Sequence, residues 1–100
     1  MASILFNYQK AKEQARQLEN TAQELRSLAE NSMEDSLQQL RVSWTGENAD
    51  EYIRKGYILK EEIGDAAEDL REIAESIRAV AKAIYEAEMA AKQIAEKRTY

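Results

Sequence analysis

One stretch of this chain leaves little freedom in what it can become. Ala49, Tyr52, Gly56, Leu59, Ile63, Ala66, Leu70, Ile73, Ile77, Val80, Ile84, Ala87, Ala91 and Ile94 recur at alternating spacings of three and four without a break. An apolar series sustained over that many heptads is the signature of a helix packed along its whole length against other helices. Ile53, Ala67, Ala74 and Ala81 widen the stripe beyond a simple two-helix seam, as expected where one helix meets more than one neighbour. Charged residues such as Arg54, Lys60, Glu61, Asp65, Glu68, Glu72, Glu75 and Lys82 fill the other faces. At about 1.5 Å per residue this helix is expected to run roughly 75 Å.

A second, shorter stripe precedes it. Ala11, Ala15, Leu18, Ala22, Leu25 and Ala29 follow heptad spacing, and Met33, Leu37, Leu40 and Trp44 continue it. Leu25, Ala29, Met33 and Leu37 are separated by consecutive steps of four, a stutter that locally unwinds a supercoil. The pairing is therefore expected to straighten near residues 29–37, with Leu28 and Met33 turned toward a second neighbour. The chain contains no Pro, and Ser43-Trp44-Thr45-Gly46 is its one strong punctuation. The expected organisation is a single domain over 1–100, with helix one near 5–42, a turn at 43–46, helix two near 47–96 and a frayed tail at 97–100. Ser3 or Asn7 is expected to open helix one, and Thr45 to cap helix two by accepting an orphan amide. Because each stripe needs an apolar partner, the expected fold is all-α: an antiparallel two-helix hairpin rather than one continuous rod. Two helices cannot enclose so wide a stripe, which points to a dimeric four-helix bundle. Its packing and dimer contacts are expected from Leu18, Leu25, Leu37, Ile63, Leu70, Ile73, Ile77 and Val80, without a division between intrachain and interchain roles.

Composition narrows the chemistry. With no Cys and no His, disulfides, zinc-finger-like sites, imidazole bases and thiol nucleophiles are excluded. A metal site would have to be built of carboxylates alone, and the inward positions of the stripes are apolar. No catalytic, cofactor-binding or metal-binding residue is expected, and the reading is of a non-enzyme without a cofactor. Fourteen Lys plus Arg against 19 Asp plus Glu give a net charge of -5. Nucleic acid and anionic membrane surfaces, which need a basic patch, are not expected partners. No apolar run is long enough for stable membrane insertion, and the opening residues MASILFNYQKAKEQ do not read as a cleaved signal peptide.

Trp44-Thr45-Gly46, set midway in a 100-residue, acidic, Cys-free chain between two long amphipathic helices, resembles the WXG100 family, the ESAT-6-like small substrates of type VII secretion. The resemblance covers Ser3 to Ala91. It implies a helix–turn–helix hairpin that pairs as a homodimer or as a heterodimer with a sister chain. It further implies secretion without a cleaved signal peptide after cytoplasmic folding, and recognition by a type VII motor ATPase. Trp44 reads either as a plug over the bend or as an exposed recognition residue near the hairpin tip. The family's export signal, a Tyr followed four positions later by Asp or Glu, is absent from its usual place, since Met89 stands four after Tyr85. Tyr85 with Glu88 is a candidate degenerate form. Tyr57 and Glu61 have the right spacing but lie close to the turn and read as ordinary helix surface. Two other readings remain: an intracellular adaptor or chaperone for the helical targeting domain of a larger secreted toxin, and a structural coiled-coil subunit.

Overall fold

In the computed structural model, residues 2–98 are described. Helix α1 spans Ala2–Ser27, a π-helical turn covers Leu28–Met33, α2 runs Glu34–Ser43 and α3 runs Glu47–Lys97. α1 and α2 together lie antiparallel along α3, giving an elongated all-α hairpin with Cα extents of 84 × 16 × 12 Å. The antiparallel register is visible in the residues that meet. Tyr8 stacks on Tyr85 with ring centroids 4.5 Å apart. Glu19 pairs with Arg78, Arg26 with Glu68 at 3.0 Å, and Glu34 with Lys60 at 3.1 Å. Nearest the bend, Leu37 packs against Gly56.

The seam between the helices is made of small side chains. Among the described residues the buried apolar set is Ala15, Ala22, Ala29, Leu37, Ala49, Ile53, Ala67 and Ala74. Alanine keeps full helix propensity while letting two backbones approach closely, so the hairpin is thin and has no enclosed core of large residues. This revises how the stripe of α3 is shared. Ile53, Ala67 and Ala74, expected only to widen it, face α1 and α2. Tyr52, Leu59, Ile73, Val80 and Ile84, from the expected main seam, remain exposed.

Three local expectations change. Helix one is not a continuous α-helix. Each four-residue step overshoots a 3.6-residue turn by about 40°, so three steps from Leu25 to Leu37 would carry the stripe off the seam. The π turn, with its wider i→i+5 winding, absorbs that drift and keeps Ala29 and Leu37 buried. Helix one also begins at Ala2, placing Ser3 and Asn7 inside it, and helix two includes Lys97. Of the expected tail, residues 99 and 100 lie outside the described residues. Finally, Thr45 does not cap α3. Gly46 holds the N-cap position without a side-chain hydrogen bond, and its carbonyl accepts the Asp50 amide at 3.0 Å. Gly46 has φ of 119°, a conformation that L side chains rarely adopt, which is why the turn needs glycine here. Trp44 is extended, and its amide closes α2 on the Leu40 carbonyl at 2.9 Å.

Gly64 is different: it sits within α3 with nothing within 4 Å of where a Cβ would stand. Gly64→Ala is therefore expected to stabilise the hairpin by about 0.4–1 kcal/mol, through helix propensity and a less flexible unfolded chain. A rise in the urea midpoint without a change in slope is the expected readout.

Candidate interaction surface

The two broad faces of the hairpin differ in chemistry. On one, α1 and α3 are laced by charge pairs. The Arg78 guanidinium donates to both carboxylate oxygens of Glu19, and Arg26 and Arg71 converge on Glu68. A shallow polar cleft of about 330 Å³ lies among Glu19, Asn20, Gln23, Arg26 and Arg71. Farther along, Glu34 anchors α2 to α3: Gln38 and the Tyr57 hydroxyl donate to its Oε1 at 2.9 and 3.3 Å. Lys60 Nζ lies 3.1 Å from Oε2 as an ion pair aligned off the hydrogen-bond direction.

These contacts hold the carboxylates ionised. Donation by Arg78 puts the Glu19 carboxyl below its usual range. Gln38 first, and then Lys60, do the same for Glu34, while Arg71 leads at Glu68. A carboxyl whose folded pKa is lowered contributes stability above its unfolded value, and that contribution disappears as pH falls through the folded value. The thermal midpoint of the natural chain is therefore expected to exceed that of Glu19→Gln above about pH 5, with the gap closing as the pH drops below about 4. Parallel melts across that range check it; a gap that stays constant would show that the pair contributes nothing through ionisation.

The other face is apolar and open. An elongated groove of about 850 Å³ runs between the start of α1 and the latter half of α3, lined by Ile4, Asn7, Tyr8, Ala11, Asp69, Glu72, Ile73, Ser76, Ile77, Val80, Ala81, Ile84, Tyr85 and Glu88. A smaller hollow of about 460 Å³ lies toward the bend, between Leu28, Ser32, Met33, Ser36, Leu37 and Leu40 on one side and Tyr52, Lys55, Gly56 and Leu59 on the other. Two features line it: the π turn, which supplies Leu28, Ser32 and Met33, and Gly56, whose missing side chain leaves the room that Leu37 fills. The sequence signalled the first through its run of four-residue steps. The hollow itself was not foreseen, because it depends on which side of the stripe α1 occupies.

The expected interface residues divide between two environments. Leu37 is buried in the hairpin seam; Leu18, Leu25, Ile63, Leu70 and Ile77 are half-buried; Ile73 and Val80 are exposed on the open face. Trp44 is 41% exposed, tilted against Tyr52 with ring centroids 5.6 Å apart, so it neither plugs a core nor stands free. Thr45 and Gly46 complete the turn beside it. Tyr85, one half of the candidate degenerate signal, is stacked on Tyr8 and half-buried, while Glu88 is exposed at the end of the long groove. Tyr57 is tied to Glu34, and Glu61 is exposed.

Among the described residues no group of three or more His, Cys, Asp or Glu is placed to hold a metal ion, and no helix is long and apolar enough to cross a membrane. No family model, curated protein or solved structure matches the chain.

Proposed function

We propose that this chain is a non-enzymatic binding protein whose open apolar face assembles it into a dimeric four-helix bundle, either with itself or with a sister hairpin. The observation that carries the reading is surface area. The hairpin exposes 7600 Å², whereas a compact monomer of 11.4 kDa exposes about 5,800 Å². Two copies each covering the excess would bury roughly 3,600 Å², within the range of obligate dimers. A stripe of Tyr52, Leu59, Ile73, Val80 and Ile84 on one face, opposite a face laced with ion pairs, gives that area a place. Sedimentation at micromolar concentration is expected to give about twice 11.4 kDa; a well-folded monomer throughout that range overturns the homodimer.

The biological setting we propose is type VII secretion, with the chain as a WXG100-like substrate or co-secreted partner that folds in the cytoplasm and leaves without a cleaved signal peptide. The hairpin architecture and the Trp44-Thr45-Gly46 bend support this reading. The test compares the culture supernatant of the parent strain with that of a strain lacking the motor ATPase, with lysis monitored. Motor-dependent appearance of the intact chain is expected, and equal amounts in both overturn export.

A second reading rests on Tyr85. Because that ring is engaged by Tyr8 within the hairpin, a signal built on it is partly occupied. This favours a partner that carries the export address, either a sister chain or the helical targeting domain of a larger toxin for which this chain serves as intracellular adaptor. Normal export of a Tyr85→Ala variant supports that arrangement; loss of export with retained folding assigns the address to this chain.

A further inference from the structure

Both sides of the hairpin are weakest at the same level. Arg26 meets Glu68 and Glu34 meets Lys60, so Gly64, midway between the α3 partners, lies at the height of Glu30, midway between the other two. Glu30 belongs to the π turn at Leu28–Met33. One side is therefore loosely wound where the other carries glycine, a poor helix former that no close neighbour requires at Gly64. The seam is interrupted at this height as well. On α3 the buried residues at heptad spacing are Ile53, Ala67 and Ala74, and Lys60 stands where the missing member would be. Among the described residues none is buried between Ile53 and Ala67, or between Ala29 and Leu37 on the opposing side. Met33 and Ile63 are only half-buried there. The polar contact across this gap is the Glu34–Lys60 ion pair, its side chains 29% and 27% exposed, with the Tyr57 hydroxyl donating to the same carboxylate.

We infer that the hairpin carries a hinge at the level of the π turn and Gly64, held straight by the Glu34–Lys60 ion pair acting as a latch. Helices kink at π turns and at glycines rather than at arbitrary positions. Two packed helices bend together only where both are soft at one height, which is the arrangement here. The arms on either side are packed more closely. Ala15, Ala22, Ala67 and Ala74, with the Glu19–Arg78 pair, join the longer arm, and Leu37 on Gly56, with Ala49 and Ile53, joins the shorter arm that carries the bend. A single ion pair between partly exposed side chains contributes little free energy, so it can fix the straight form and still yield. The consequence lies on the open face. Its longer groove takes α3 residues from Asp69 to Glu88, and its shorter hollow takes α3 residues from Tyr52 to Leu59, so the two belong to different arms. Flexing at Gly64 changes the angle between them and adjusts the curvature of the face. The hinge belongs to the single chain and does not depend on what covers that face.

The chain has no cysteine, so pairs of introduced thiols can carry nitroxide labels whose separation is read by dipolar spectroscopy. Arg54→Cys with Lys82→Cys places exposed labels on α3 on either side of Gly64, about 42 Å apart along a straight helix. Gln9→Cys with Glu24→Cys, exposed positions within the longer arm, serves as the control pair. Each labelled chain is refolded with excess unlabelled chain, so that only distances within one copy are measured. Two changes stiffen the hinge: Gly64→Ala, and deletion of Asn31, which restores a seven-residue step from Ala29 to the leucine now at 37. Together they are expected to narrow the distribution across Gly64 by about half, since both soft points are removed, and to leave the control pair unchanged. Gly64→Ala alone is expected to narrow it in part, and it decides the matter if the deletion lowers helicity. Glu34→Gln is expected to broaden the distribution across Gly64 alone. An unchanged width in the stiffened variants overturns the hinge; an unchanged width in Glu34→Gln overturns the latch.

Discussion

Truncating Leu37 to alanine is expected to destabilise the hairpin by about 2–5 kcal/mol, the range for removing a large aliphatic side chain from a packed site. Leu37 is 5% exposed, and Ile53 is the only other large side chain in the buried seam of the described residues. The remaining members are alanines, so there is little neighbouring side-chain volume that can relax into the gap. Its partner is a backbone: a Cβ built at Gly56 would stand 2.5 Å from Leu37 Cδ2. That closeness supplies an internal control. Gly56→Ala alone crowds Leu37, but combined with Leu37→Ala it places a methyl group in the space vacated. The double variant is expected to be more stable than the sum of the single changes implies, and urea unfolding of the four proteins at one protein concentration measures the coupling. Additive effects would mean that the two residues do not pack as described.

The second large effect is expected at the open face. Ile73→Asp with Val80→Asp adds two carboxylates per copy to a surface that the proposed dimer must dehydrate, and unpaired buried charge is among the costliest changes a protein interface can suffer. Both side chains are about half exposed in the hairpin, so their replacement leaves the seam of alanines intact. Sedimentation is expected to shift from about twice 11.4 kDa to the monomer mass. Circular dichroism separates this from unfolding, since the isolated hairpin is expected to retain helicity when concentrated. A dimer that survives both substitutions would place the interface elsewhere. Placing the same pair of aspartates at Gln39 and Gln93, exposed neutral positions away from the stripe, provides the matching control for added charge.

Much of the architecture was legible because helix packing writes itself into spacing. The three-four alternation from Ala49 to Ile94 announced the long helix, the four-residue steps from Leu25 to Leu37 announced an irregularity, and Trp44-Thr45-Gly46 announced the bend. Which flank of the stripe would be covered could not be read. Ile53, Ala67 and Ala74 lie only one position from members of the main series, and a rotation of α3 by about 100° exchanges buried for exposed. The choice depends on the opposing helix, where Ala15, Ala22 and Ala29 offer a small-on-small contact that hydrophobicity alone does not rank highly. The cap of α3 was missed for a related reason. Thr45 has the side chain for the role, but the chain reverses direction through the positive φ of Gly46, and that places the glycine rather than the threonine at the helix start. The π turn was visible only as a break in rhythm, because a stutter can be relieved either by straightening a supercoil or by rewinding one helix.

The alanine seam also divides the chain's freedom to vary. At Ala15, Ala22, Ala29, Ala67 and Ala74 neither direction of change is free: glycine gives up roughly 1 kcal/mol of helix propensity, and any larger side chain wedges the two backbones apart. The outward positions, Tyr52, Leu59, Ile73, Val80 and Ile84, carry no such double restriction, since the hairpin closes without them. Exchanging those side chains would change which surface the open face fits while the internal register of the hairpin stayed fixed. A hairpin built this way is a scaffold on which new pairings can arise by substitutions at a few surface positions, with no need to redesign how the chain folds.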